Sequence, residues 1–193
     1  MNKEILIICR GGGDLATGIV HRLFRAGYQV LILETAEPAA IRRQVSFCEA
    51  VYEGTATVEG VTAERIYTAK KQAVEEVLQR GRIPLLVDPD GRSIEVLKPD
   101  VVVDAIIAKK NLGTYKEMAP LVIGIGPGFV AGKDVHLVVE SMRGHNLARI
   151  LETGSALANT GIPGNIGGYT KERVIHAAAE GYMKNLYQIG DVV

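Results

Sequence analysis

Apolar runs of strand length alternate with stretches of helical periodicity along most of the chain. The first run, residues 5–9 (ILIIC), has no polar alternation, which is typical of a parallel strand buried on both faces. After three glycines, apolar residues recur at helical spacing at Ala16, Ile19, Val20 and Leu23, and Gly27 stands where a helix usually ends. A second apolar run follows over residues 28–33. The opening of the chain therefore predicts a strand–helix–strand unit.

The glycines between the first predicted strand and helix have the spacing of a dinucleotide-binding turn. Gly11, Gly13 and Ala16 fit the G-x-G-x-x-G/A pattern, in which the second glycine lets the backbone approach a pyrophosphate. Glu34 follows the second strand, about 20 residues further on, where such folds bind ribose hydroxyls. Together these features predict a nucleotide-binding turn. The alternative interpretation is a strand–helix–strand unit with a tight turn and no ligand.

The rest of the chain continues to alternate strands with helices. Further helices are predicted over residues 38–51, over residues 70–80 and in a short piece before Pro99. Further strands are predicted over residues 83–87, 101–107, 121–125 and 135–139, with a hairpin turning near residues 59–60. This order favours an α/β fold, a Rossmann-like doubly wound parallel sheet.

Composition argues against several classes of function. With 193 residues, 47% of them apolar, the chain can bury a full core. Its 22 basic and 22 acidic residues balance and tryptophan is absent, so nothing favours a nucleic acid or a membrane surface as partner. Its two cysteines, without a Cys-x-x-Cys pair or a Cys/His cluster, argue against a structural zinc site and a disulfide framework. Because no signal peptide or membrane-spanning run is visible, we expect a cytoplasmic location.

Cations and a second glycine-rich turn follow several predicted strands. In doubly wound sheets, ligands bind beyond the carboxyl ends of the strands. The cations found there are Arg10, Lys109, Lys110 and Arg143, and the GIGPG segment contributes Gly124, Gly126 and Gly128. This combination suits a ligand with several phosphates, although any one of these cations taken alone is more commonly a solvated loop charge. His145, in the loop beyond the last strand, is a further candidate.

Several segments together resemble one bacterial family. These are RGGGDLATG, AIRRQV, PDVVVDAIIAKKNLGT, GIGPGFVAGKDVHLVVE, MRGH and NTGIPGNIGGYTKERV. They resemble the YqeB-type accessory protein of the selenium-dependent molybdenum hydroxylase system, which is related to the XdhC-like Rossmann domain of xanthine dehydrogenase maturation factors. The resemblance covers nearly the whole chain. It implies a molybdopterin-type cofactor or its dinucleotide as ligand and a molybdenum hydroxylase apoenzyme as partner.

The C-terminal part departs from the family pattern. Residues 1–153 are predicted to form a Rossmann-like domain that binds a nucleotide or cofactor, and residues 154–169 a glycine-rich connector. Because family members look longer, residues 170–193 are expected to begin a biotinyl/lipoyl-like β domain that stays incomplete. Periodicity alone would also allow a helix over residues 170–179. The open edges of such a fragment should pair with a neighbour, as in a homodimer, or stay disordered.

These observations predict an accessory protein that binds molybdopterin or its cytosine dinucleotide for maturation of the hydroxylase, without turnover of its own. No nucleophile–base pair or metal-ligand cluster can be read from the sequence, so no catalytic or metal-binding residue is assigned. The predicted cofactor-binding residues are Arg10, Gly11, Gly12, Gly13, Asp14, Glu34, Asp104, Lys109, Lys110, Gly126, Gly128, Arg143 and His145. The alternatives are an NAD-dependent oxidoreductase and an NAD-binding redox sensor.

Overall fold

A computed structural model of the chain describes residues 3–158, 161, 164–173, 176–181 and 184–192. Its strands are β1 (Lys3–Arg10), β2 (Tyr28–Glu34), β3 (Thr55–Val58), β4 (Val61–Ile66), β5 (Ile83–Val87), β6 (Val101–Asp104), β7 (Leu121–Ile125), β8 (Leu137–Val139) and β9 (Ile150–Leu151). Its α-helices are α1 (Asp14–Arg25), α2 (Ala50–Glu53), α3 (Lys71–Gln79) and α4 (Arg92–Leu97). Over these residues, no helix is long and apolar enough to cross a membrane.

The nine strands form one sheet in the order β3-β4-β5-β2-β1-β6-β7-β8-β9. Neighbouring strands pair in parallel except at the two edges, where β3–β4 and β8–β9 are antiparallel. From β1, the chain builds one half of the sheet through β2 and the other half through β6. This reversal is the topological switch point, the place where open α/β sheets bind ligands. The predicted Rossmann-like α/β fold is confirmed.

Apolar side chains cover both faces of the sheet. On one face, α1 and the segment before β3 pack over β1 and β2, burying Ile7, Val20, Ile32, Phe47 and Val51 among others. On the other face, α3 and α4 pack over the sheet, and the buried residues include Ile8, Leu31, Val74, Val77 and Ile94. A parallel strand packed on both faces has no solvent side, which explains the unbroken apolar runs in the sequence.

The segment after β2 differs from the continuous helix predicted over residues 38–51. It contains two 3₁₀ turns, Arg43–Val45 and Phe47–Glu49, followed by the four residues of α2. Ile41, placed on the apolar stripe of that helix, is 99% exposed. The predicted helix is wrong because the N–H of Cys48 donates to the carbonyl of Gly12, at 2.9 Å, instead of to the preceding helical turn.

The chain divides into two compact units, Met1–Asn159 and Thr160–Val193. The first unit contains the whole sheet and both apolar cores. In the second, the described residues include an isolated bridge between Ile166 and Tyr169 and a 3₁₀ turn, Lys171–Arg173. The predicted boundaries at residues 153 and 169 stay predictions. So does the β domain over residues 170–193, part of which (residues 174–175, 182–183 and 193) lies outside the described residues.

Candidate functional site

The glycine turn (Gly11, Gly12 and Gly13) leads from β1 into α1 at the switch point of the sheet. Gly11 has a φ of +101°, a conformation that L side chains rarely adopt. Its N–H donates to the carbonyl of Leu33 at 2.8 Å. A Cβ at Gly11 would lie 3.0 Å from the carbonyl oxygen of Ala105. Gly11 therefore lets β1, β2 and the loop after β6 approach one another closely.

Gly12 is hydrogen-bonded to protein groups through both its N–H and its carbonyl. The N–H donates to Oε2 of Glu34 at 2.7 Å. The carbonyl accepts the N–H of Cys48 at 2.9 Å and the hydroxyl of Thr17 at 3.0 Å. Oγ1 of Thr17 in turn accepts the N–H of Phe47 at 2.9 Å. Gly12 therefore anchors the segment after β2, and its N–H is already taken by a carboxylate.

Gly13 and the start of α1 form the open part of the turn. Gly13 is the N-cap residue of α1, with φ −65° and ψ 179°. Apart from its two chain neighbours, a Cβ built at Gly13 would meet no described atom within 4 Å. A helix N-terminus carries partial positive charge and unsatisfied N–H groups, so it attracts anions. The turn can therefore attract an anionic group at Gly13, next to the carboxylate of Asp14.

Glu34 places a carboxylate beside the turn, at the end of β2. Its Oε1 accepts the N–H of Thr35 at 2.8 Å, while its Oε2 accepts that of Gly12. Burial raises the pKa of Glu34, although the two backbone hydrogen bonds act in the opposite direction. Each carboxylate oxygen has two lone pairs, so both can accept a further hydrogen bond. The structure brings Glu34 to the glycine turn, and its role in ribose binding stays a prediction.

Arg10, at the end of β1, is 2% exposed and engaged by protein groups. Its Nη1 donates to the hydroxyl of Thr114 and lies 3.5 Å from Oδ2 of Asp104. Its Nη2 donates to the carbonyls of Pro89, at 2.9 Å, and Leu112, at 3.2 Å. The Thr114 hydroxyl donates to the same Asp104 oxygen at 2.5 Å. Arg10 and Asp104 thus meet in a buried network that ties the loops after β5 and β6 to β1, and cofactor contacts by either stay a prediction.

Lys109 and Lys110 lie in the loop after β6, adjacent to the strand that leads into the glycine turn. The strand predicted over residues 101–107 ends early because Oδ1 of Asp104 accepts the N–H of Ile106 at 3.1 Å and turns the chain. Both lysines are exposed, and Lys109 has a φ of +62°. The structure therefore places two cations beside the switch point, with their contacts to a ligand still a prediction.

The second glycine-rich turn packs against neighbouring protein. A Cβ at Gly126 would lie 2.5 Å from the hydroxyl of Ser141. A Cβ at Gly128 would lie 2.8 Å from the backbone of Lys110. Close approach of the chain therefore explains both glycines without a ligand, and the cofactor-binding role given to them stays a prediction.

Arg143 and His145 lie in the exposed loop between β8 and β9. Because β8 is three strands from β1, at about 4.8 Å per strand, this loop begins about 14 Å from the glycine turn. Buried Glu140 fixes the start of this loop through two hydrogen bonds. Its Oε1 accepts the N–H of Met142 at 2.7 Å, and its Oε2 accepts the N–H of Leu157 at 2.8 Å. Burial acts to raise the pKa of Glu140, but backbone hydrogen bonds hold it below its ordinary value. The base of this loop therefore lies away from the turn, and contacts of Arg143 and His145 with a ligand stay a prediction.

Two buried thiols lie near the turn. The Sγ of Cys9 donates to the carbonyl of Gly11 at 3.6 Å, and Cys48 is bonded to Gly12 through its backbone. Burial raises the pKa of both thiols, that of Cys48 to about 12. Both are therefore protonated near neutrality and are poor nucleophiles. In the part of the chain that the structure describes, no three His, Cys, Asp or Glu side chains are grouped to hold a metal ion.

Arg42, which sequence reasoning missed, lies at the start of α1. Its Nη2 forms an ion pair with Oδ2 of Asp14, the first residue of the helix. Oδ1 of Asp14 accepts the N–H of Leu15 at 2.9 Å. The signal in the sequence was the pair Arg42 and Arg43 in the segment after the second strand, at the edge where ligands bind. Because a helix was predicted over this segment, neither arginine was assigned to the ligand site.

The chain is 50% identical over 188 residues to the uncharacterized protein YqeB of Escherichia coli (strain K12). The match covers 97% of the chain but 34% of that protein, so the chain spans about a third of the length of this curated relative. No family model matches the chain, and no solved structure matches it significantly. The relative's description names no function, so the link to molybdenum hydroxylases stays a prediction. Over nearly all of its own length, the chain is a homologue of YqeB, as its sequence motifs predicted.

Proposed function

We propose that the chain binds a nucleotide-bearing molybdenum cofactor, molybdopterin or its cytosine dinucleotide, for the maturation of a selenium-dependent molybdenum hydroxylase. The cofactor and the partner are taken from the family that the sequence resembles. The binding of a phosphate-bearing nucleotide is argued from the glycine turn. The two parts of the proposal are therefore tested separately.

The open N-terminus of α1 at the switch point is the observation that carries nucleotide binding. The position beyond the carboxyl end of β1, next to β6, is where doubly wound sheets bind nucleotides. Gly12 N–H is already bonded to Glu34 and Leu15 N–H to Asp14, so the N–H groups left for phosphate oxygens are those of Gly13, Asp14 and Ala16. A Cβ at Gly13 would meet no atom within 4 Å apart from its chain neighbours, so the backbone there is open to the approach of a pyrophosphate.

The carboxylate of Glu34 favours a ligand with free ribose hydroxyls. It would accept hydrogen bonds from the hydroxyls and repel a 2′-phosphate. NAD meets the same requirement, so an NAD-dependent oxidoreductase or NAD-binding redox sensor is the second candidate. If a 2′-phosphorylated nucleotide binds as tightly to the wild type as to Glu34→Ala, this role of Glu34 is wrong.

Nucleotide binding is tested by the change in melting temperature of the purified protein with molybdopterin species, CTP and NADH. We expect molybdopterin species to raise the melting temperature of the wild type. We expect no such rise for Gly13→Val, because the valine side chain fills the space that the phosphate would enter. Gly18→Val is the matched control, because a Cβ at Gly18 of α1 also meets no described atom within 4 Å. If a folded Gly13→Val protein binds every ligand with unchanged affinity, the assignment of the phosphate site to the glycine turn is wrong. A response to NADH alone would favour the second candidate.

Cofactor delivery is tested by mixing the purified protein, a cofactor source and apo-hydroxylase and following hydroxylase activity. We expect activation to be faster with the protein than without it, because a bound cofactor is protected and presented. Equal activation without the protein would contradict delivery. Turnover of NAD(H) by the protein alone at about 1 per second or more would contradict a role without catalysis.

A further inference from the structure

We infer that Arg42 is the cation that the glycine turn presents to ligand phosphates, and that Asp14 pairs with it as an internal competitor until phosphate binds. The inference takes from the proposed function that the natural ligand is a nucleotide. Its chemistry requires a phosphate or pyrophosphate group, whatever molecule carries that group. It assigns a residue that the glycine pattern does not contain.

Hydrogen bonds fix the position of Arg42 beside the turn. Its carbonyl accepts the N–H of Val45 at 3.1 Å and the hydroxyl of the fully buried Ser46 at 2.8 Å. The next two residues are bonded to α1 and to the turn, because Phe47 donates to Thr17 and Cys48 to Gly12. The backbone of Arg42 is therefore held within a few residues of its anchors on the glycine turn.

Asp14 uses the partners that a phosphate would use. Its carboxylate accepts a backbone N–H in the first turn of α1 and pairs with the guanidinium of Arg42. The side chain of Arg42 is 62% exposed and that of Asp14 is 29% exposed, so water weakens the pair. A phosphate can accept two parallel N–H donors from guanidinium and carries more charge than a carboxylate, so it should displace Asp14.

Among the other cations predicted for this role, Lys109 and Lys110 are exposed on the β6 side of the turn, whereas Arg10 is less available and Arg143 more distant. The guanidinium of Arg10 is buried and shared among Thr114 and two backbone carbonyls. Arg143 follows β8, three strands from the turn. Arg42 instead already contacts the first residue of the helix whose N-terminus would receive the phosphate.

The probe for the test is inorganic pyrophosphate, titrated calorimetrically into the full chain and its variants. We expect Arg42→Gln to weaken binding about tenfold, because a hydrogen bond to a charged group is lost. Arg42→Lys should fall between wild type and Arg42→Gln, because it keeps the charge without the planar fork. Asp14→Asn should bind more tightly than wild type, and the double variant Asp14→Asn/Arg42→Gln should lose that gain. Arg25→Gln, at the far end of α1, is the control for net charge and should match wild type.

The outcomes separate this inference from the proposed function. No pyrophosphate binding by the wild type, equal binding by Arg42→Gln, or weaker binding by Asp14→Asn would overturn the role of Arg42. The expected pyrophosphate series without binding of any nucleotide or molybdopterin species would support Arg42 and reject the proposed function. Nucleotide binding that is the same in wild type and Arg42→Gln would keep the proposed function and overturn the inference. Circular dichroism of each variant verifies that it is folded.

Discussion

The three glycines of the turn are adjacent, yet each meets a different physical requirement. Gly11 has a left-handed backbone conformation and leaves no room for a side chain against Ala105. Both the N–H and the carbonyl of Gly12 are hydrogen-bonded to protein groups. Gly13 has an ordinary backbone conformation and faces open space. Substitutions at Gly11 should therefore act on folding, and those at Gly13 on ligand binding.

We predict that Gly11→Ala lowers the free energy of unfolding by about 1–3 kcal/mol, since the new Cβ combines positive φ with a close backbone contact. Gly13→Ala should leave the free energy of unfolding unchanged or raise it by about 0.4–1 kcal/mol, because φ −65° suits any L residue and the unfolded chain loses entropy. Urea unfolding of both variants measures the difference. Equal destabilisation by the two changes would contradict the geometry of the turn.

Glu34 should make stability depend on pH. Because burial raises its folded pKa above the ordinary 4.5, the folded state binds more protons than the unfolded state as pH rises from 4.5. Its contribution to the free energy of unfolding therefore decreases with rising pH through this window. We predict that the wild type loses stability relative to Glu34→Gln between pH 4.5 and neutrality, as measured by urea unfolding at a series of pH values.

Glu37→Gln, which removes an exposed carboxylate three residues after Glu34, is the control for the change in net charge. A difference between wild type and Glu34→Gln that stays constant with pH would show that the folded and unfolded states bind equal numbers of protons at this residue.

At the scale of elements, buried side chains connect the carboxyl ends of the strands. Arg10 joins the end of β1 to the loop after β5 through Pro89, and to the loop after β6 through Leu112 and Thr114. Its charge is balanced by Asp104 at the end of β6. Desolvation makes such a pair a weak source of net stability, but the loss of one member leaves an uncompensated buried charge. The network therefore fixes the positions of the loops after β5 and β6 relative to β1, and adds little net stability.

We predict that Arg10→Met lowers the free energy of unfolding by about 3–5 kcal/mol, because it leaves Asp104 buried and unpaired. The double variant Arg10→Met/Asp104→Asn should lose at least about 1 kcal/mol less than the sum of the two single variants. Urea unfolding of the wild type, the two single variants and the double variant measures this coupling as a double-mutant cycle. Additive effects, within about 0.5 kcal/mol, would show that the two side chains are not coupled.

At the scale of the whole molecule, one sheet organises the first compact unit. Among the residues that the structure describes, those buried in the two apolar cores all precede residue 157, ending with Ala156. The antiparallel pair β8–β9 closes one edge of the sheet, and Val135 and Val138 beside it are fully buried. The described residues of the two apolar cores therefore all lie in the first unit.

We predict that a chain ending at Ala158 unfolds cooperatively, with a free energy of unfolding within about 1 kcal/mol of the full chain and a Tm within about 4 °C. The reason is that it keeps every residue of the two cores. A chain ending at Asp134 is the matched control, and it should not unfold cooperatively because it lacks Val135 and Val138. Loss of cooperative unfolding in the longer of the two would contradict the division of the chain.

The sequence by itself determined the features that arise from neighbouring residues. Apolar runs such as residues 5–9 predicted buried parallel strands, and the glycines together with Glu34 predicted a turn that the structure forms with these groups in contact. One strand–helix–strand unit brings them together, so local periodicity and spacing suffice.

Tertiary structure decided what depends on groups distant in sequence. From the sequence, Arg10 is interpreted as an exposed cation at the end of a strand. In the structure it is buried by contacts with Asp104 and Thr114, which lie some hundred residues later in the chain. The periodicity after Pro38 predicts a helix, but hydrogen bonds to the glycine turn outweigh that weak local preference and bring Arg42 to Asp14. The physical reason is that periodicity reports which side chains leave water, whereas hydrogen bonds and ion pairs depend on which loops meet after the sheet has assembled.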